Sequence, residues 1–123
     1  LIVSRGLGDV YKRQDMLRGI QPDETKKNLE QIINIASNKK IKIILAGMVA
    51  PNTHGKKYKK EFDAIYPKLS KKYNLPLIPF LLEGVALNPG LNQKDGIHPN
   101  KEGTIIVSEI IKKNIINIFK LNE

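Results

Sequence analysis

Cysteine is absent from the chain, which excludes a disulfide scaffold, thiolate metal sites and cysteine nucleophiles. Histidine is nearly absent: His54 and His98 stand far apart, with no H-x-x-x-H pattern, too few ligands for a metal centre. No apolar run approaches the roughly 20 residues that span a bilayer. Arginine is scarce as well, since only Arg5, Arg13 and Arg18 accompany the lysines among 21 basic residues. Arginine is the forked donor that reads phosphates and guanines in pairs of hydrogen bonds, so sequence-specific nucleic-acid recognition is disfavoured. The chain opens on Leu1, and Leu1-Ile2-Val3 is too short for the apolar stretch of a signal peptide. A fragment is therefore expected, and the lack of a targeting signal carries no weight.

What is present is ordinary globular composition, 41% hydrophobic and 27% charged over 123 residues, enough for at most one domain. The formal charge of +9 leaves an alternative open, a noncatalytic basic module that binds polyanions or nucleic acid through lysine pairs such as Lys56-Lys57 and Lys59-Lys60. The simpler reading of those pairs is solvated surface.

Hydrophobic periodicity organises the chain from Asp15 onward. Pro22-Asp23-Glu24 is a helix start, and Leu29, Ile32, Ile33 and Ala36 share a helical face that closes at Asn38-Lys39-Lys40. Ile41 to Met48 reads as a buried strand of about six residues. The turn-rich APNTHG segment follows at 50–55. Tyr58, Phe62, Ile65, Leu69 and Tyr73 predict a second helix over 56–73, kinked or divided by Pro67. LPLIPF at 75–80 is a second strand with its hydrogen bonding restricted by Pro76 and Pro79. A long loop leads to a last helix, with Asn100 as its N-cap and Val107, Ile111, Ile115 and Ile118 on one face. The order helix, strand, helix, strand, helix predicts an α/β class with a parallel sheet. Two strands are marginal alone, so these elements are expected to be part of a larger domain.

The stretch richest in chemistry is Asp95-Gly96-Ile97-His98-Pro99-Asn100. A carboxylate three residues before an imidazole, in a loop bent by glycine and proline, can turn back onto one ring nitrogen. That contact selects the tautomer and leaves the other nitrogen free to take a proton from a serine hydroxyl. An Asp-His pair beside a helix start also arises as a simple cap.

Four strings in order supply the context: DMLRGIQP (15–22), FDAIYPKL (62–69), LPLIPFLLEGV (75–85) and LNQKDGIHPN (91–100). From Asp15 to about Phe119 they resemble the C-terminal part of SGNH/GDSL-type serine hydrolases, in the arylesterase / acyl-CoA thioesterase I / lysophospholipase L1 group. The resemblance implies a flavodoxin-like three-layer α/β/α fold, here with about two parallel strands and three helices. It also implies Asp95 and His98 as triad acid and base, no cofactor, and a small acyl ester or thioester as substrate. For the full-length parent it favours a periplasmic or secreted location.

The family's other blocks are not matched. Gly8-Asp9 is followed by Val10, where the family carries its nucleophilic serine, and Gln14 stands where the family has an oxyanion-donating asparagine before Asp15. Ser4 has no motif around it, and Ser37, Ser70 and Ser108 fall in predicted helices. Neither a nucleophile nor an oxyanion donor is assigned, and a chain lacking both is expected to be inert. Residues 1–14 are expected to be a non-native segment joined to the C-terminal part of a single domain, 15–123. His54 follows the first strand's C-terminal end, where parallel sheets bind ligands, and is the candidate substrate-binding residue. An exposed loop histidine without a role is the alternative. Asp15 is read as a loop brace, and Arg18 as a solvent-facing loop residue.

Overall fold

The computed structural model describes residues 19–120. They form two compact units that divide between Pro79 and Phe80.

In the first unit, α1 (Pro22–Asn38) begins with proline at N1, where the missing N–H is no loss, and with Asp23 and Glu24 in the first turn. Its buried row is Pro22, Thr25, Leu29, Ile33 and Ala36, a strict three- and four-residue spacing. Ile32, expected on that face, is one residue around the helix and stays 41% exposed. The helix ends in a Schellman arrangement. Lys40 takes a positive φ of 56°, while its amide donates to Ser37 O and that of Ile41 to Ala36 O.

That reversal delivers β1 (Leu45–Ala46), which pairs in parallel with β2 (Leu77–Ile78), Leu45 opposite Leu77 and Ala46 opposite Ile78. The parallel pairing agrees with the alternating pattern, but the ladder is two residues long where about six were expected. Pro76 and Pro79 bracket β2 and have no N–H, so they contribute acceptors only: Leu45 N–H donates to Pro76 O at 2.9 Å. At Gly47 the strands approach so closely that a Cβ would lie 2.2 Å from Pro79 O.

Pro67 divides the second predicted helix, and it acts four residues upstream of itself. It has no N–H for the Asp63 carbonyl and its ring crowds that group. Accordingly α2 (Gly55–Asp63) stops there, and α3 (Ile65–Tyr73) resumes after Ala64. The expected loop before α2 contains a 3₁₀ turn, Asn52–His54. Phe62, Ile65, Tyr66 and Leu69 are buried with Leu29, Ile33 and Ala36, and α1 contacts both α2 and α3. Tyr66, not named among the expected face residues, joins the core: it is four residues after Phe62 and three before Leu69, on the same side. Asn74, left-handed at φ 51°, ends α3 and turns the chain toward β2.

The second unit carries a 3₁₀ turn at Pro89–Leu91 and then α4 (Lys101–Phe119). The Asn100 side chain caps α4, accepting from Gly103 N–H at 2.9 Å, as the sequence predicts. Val107, Ile111, Ile115 and Ile118 are only half-buried. No described helix is long and apolar enough to cross a membrane.

Candidate active site

The loop from Leu91 to Asn100 is a narrow hairpin. Asn100 N–H donates to Leu91 O at 2.9 Å and Gln93 N–H to His98 O at 2.7 Å, with Asn92 facing Pro99 as an antiparallel bridge. At the tip, Gly96 N–H returns to Gln93 O at 2.9 Å. Gly96 itself has φ +69°, the left-handed region that favours glycine.

This turn points the amides of Ile97 and His98 at the Asp95 carboxylate, whose Oδ1 accepts from them at 2.9 and 3.0 Å. The second oxygen, Oδ2, lies 2.6 Å from His98 Nδ1. One carboxylate thus accepts the two backbone amides on one oxygen and the imidazole on the other. The imidazole contact first, then the His98 and Ile97 amides, hold the Asp95 carboxyl far below the ordinary carboxylate range. An ionised carboxylate only accepts, so Nδ1 carries the proton of this bond and the neutral ring presents a bare Nε2. Both side chains are solvent-accessible, His98 at 55% and Asp95 at 41%, so Nε2 is reachable from outside. Chemically, such a pair can accept a proton at Nε2 with its tautomer selected by the carboxylate.

The two sequence-predicted residues, Asp95 and His98, are therefore in contact. His54 is in the first unit, at the end of the 3₁₀ turn and immediately before α2. It is exposed, its ring centroid 5.1 Å from that of Tyr58. It lies against Gly19, where a Cβ would come within 3.1 Å of His54 Cε1, and Tyr58 Oη donates to Ile20 O at 2.8 Å. The segment ahead of His54 is clamped at Ala50. Its N–H donates to Asp63 Oδ1 at 2.7 Å, while Lys59 Nζ donates to Ala50 O at 2.7 Å and to Asp63 Oδ2 at 2.8 Å. The four-residue spacing of Lys59 and Asp63 on a helix was the available signal for that clamp.

Ser37, Ser70 and Ser108 are all helical. Ser70 Oγ donates to Leu75 O at 2.6 Å and Ser108 Oγ to Ile105 O at 2.7 Å. Residues 1–14, Asp15 and Arg18, with the expectations placed on them, lie outside the described residues. Sequence reading did not single out Asn92. It is buried, and its Nδ2 donates to Val85 O at 2.7 Å and to Asn88 O at 2.8 Å.

Parallel strands alternating with helices define an α/β protein, and a carboxylate–imidazole pair stands in the loop entering its last helix. The chain belongs to the GDSL-like lipase/acylhydrolase family, whose model matches residues 12–111. It is 38% identical over 101 residues to thioesterase 1/protease 1/lysophospholipase L1 of Escherichia coli K12, covering 82% of this chain and 49% of that protein. A solved structure titled TesA aligns with a TM-score of 0.77 at 30% identity, over 84% of this chain and 57% of the other. AlinE4, described as an SGNH-hydrolase family esterase, aligns with a TM-score of 0.63 at 43% identity, over 89% and 56%. The fold is thus the SGNH-hydrolase fold in part, and the chain spans about half the length of the curated relatives it matches.

Proposed function

We propose that this chain is the C-terminal part of an esterase or thioesterase acting on short- or medium-chain acyl esters, and that it supplies the acid and base of a serine triad. The carrying observation is the 2.6 Å contact between His98 Nδ1 and Asp95 Oδ2, which leaves Nε2 as the available base. In the reaction, Nε2 takes the proton of a serine hydroxyl as its oxygen attacks the acyl carbonyl. The positive imidazolium is stabilised by the Asp95 carboxylate and then protonates the leaving group. A water activated by the same nitrogen releases the acid. No cofactor or metal takes part. The serine comes from a segment outside residues 15–123, as do the oxyanion donors, so the chain alone is inert toward esters. His54, beyond the C-terminal end of β1, belongs to the wall of the acyl pocket.

The test is a chimera in which residues 15–123 follow the N-terminal half of the E. coli relative, assayed on p-nitrophenyl butyrate beside the chain alone. The chimera is expected to turn over and the chain alone is not. In the chimera, Asp95→Asn should lower turnover by about 10⁴-fold, and His98→Ala should abolish it. A folded chimera that is inert, or one indifferent to His98→Ala, sinks the proposal. Turnover by the chain alone that His98→Ala removes would overturn the inertness.

A further inference from the structure

The tip of a hairpin is an insecure place for a base. Asp95 and His98 are both substantially exposed, His98 at 55% and Asp95 at 41%. Their alignment therefore depends on how firmly the feet of the hairpin are held. Both feet are pinned by side-chain amides.

Asn92 pins the first. It is 7% exposed, and its Nδ2 spends both protons on main-chain carbonyls, Val85 O at 2.7 Å and Asn88 O at 2.8 Å. These bonds tie the strand entering the tip to the turn that precedes it. Asn100 pins the second. Its Nδ2 donates to Gly90 O at 2.9 Å, and its Oδ1 accepts the Gly103 amide at the start of α4. Gly103 lets α4 come up against this foot, since a Cβ there would lie 2.1 Å from Leu91 O. Between the pinned feet run only seven residues, 93–99, closed by the Gln93–His98 and Gln93–Gly96 backbone bonds.

We propose that Asn92 and Asn100 are positioning residues for the Asp95–His98 pair. They act through the hairpin backbone and hold the imidazole in the Nδ1–H tautomer, leaving Nε2 outside the Asp95 contact. The proposal rests on the reading of this pair as an acid and base, but the property it predicts is a tautomer and not a turnover.

The experiment is nitrogen-15 NMR of His98 in the full chain, at a pH where its ring is neutral, on the wild type, Asn92→Leu and Asn100→Asp. Leucine matches asparagine in size and removes both donors. Aspartate keeps the acceptor that caps α4 and removes the Nδ2 bonds to Gly90 O, at 2.9 Å, and to Asn92 O, at 3.5 Å. In the wild type, Nδ1 should carry the proton, with slow exchange against water. In each variant the ring should shift toward the Nε2–H form of a free imidazole. Its Nδ1–H exchange should rise about tenfold, the consequence of losing one ordinary hydrogen bond. If Asn92→Leu does not fold, Asn100→Asp decides. A variant that folds with the wild-type tautomer and exchange rate, even at a lower melting temperature, overturns the proposal, because the amides would then serve stability alone. An inert chimera beside an intact His98 response would count against the esterase reading and leave this one standing.

Discussion

At the scale of single residues, the carboxylate of Asp95 makes the most contacts at the site. It accepts from two amides and one imidazole, and all three favour its ionised form. Its affinity for a proton is therefore lowered in the folded chain. The hairpin stabilisation it contributes is fully present above the unfolded value of 3.8 and is lost only as pH falls below it. The Asp95 carboxyl carbon shift, followed by NMR as pH is lowered, should show no carboxylate step at 3.8 and one only well below it. A midpoint at the ordinary aspartate value would mean that the contacts do not hold in solution.

Elements are shaped here by residues that cannot make a bond or cannot tolerate a Cβ. Pro67 splits a helix by denying a donor to Asp63, and the break places the Asp63 side chain where it clamps Ala50. Lys40 and Asn74 both end helices in the left-handed region and turn the chain into a strand. The pairing of those strands depends on Gly47, which donates to Ile78 O at 2.7 Å and has no room for a methyl group beside Pro79. The obstacle is backbone, so rotamer changes cannot relieve it. Gly47→Ala should therefore cost about 2–3 kcal/mol, seen as a lower urea midpoint for the unit containing β1 and β2. An unchanged midpoint would show that the two strands are not held this tightly.

For the molecule as a whole, the first unit has a defined centre. Phe62 is fully buried, with Tyr58 stacked on one side at 6.1 Å and Tyr66 edge-on at 6.1 Å. Removing its ring should cost about 3–5 kcal/mol, so Phe62→Ala should collapse amide-exchange protection throughout α1, α2 and α3. Retained protection would relocate the core. The second unit is organised differently: its last helix shows only Gly103 fully buried, and polar bonds around Asn92 and Asn100 order the loop that bears the site. A chain spanning about half of its relatives thus carries a carboxylate–imidazole pair whose local geometry is complete within one hairpin.

Local chemistry accounts for what could be read without coordinates. The proline break, the Asn100 cap and the Asp95–His98 pair all depend on residues within a few positions of one another, and the order of such local elements implies the α/β class and its parallel sheet. Spacing and residue type express such interactions directly. Four ordered strings then sufficed to identify the family. The tertiary structure alone decided what depends on distant backbone. The ladder is two residues long because prolines in the partner strand withhold donors. Tyr66 is in the core and Ile32 is not, because packing chose which of two adjacent helical rows faces inward. Asn92, an ordinary loop residue by composition, became a buried pin because carbonyls at Val85 and Asn88 converge on it. Residue type and spacing do not encode that convergence, since it depends on how the backbone from Val85 to Asn92 folds back on itself.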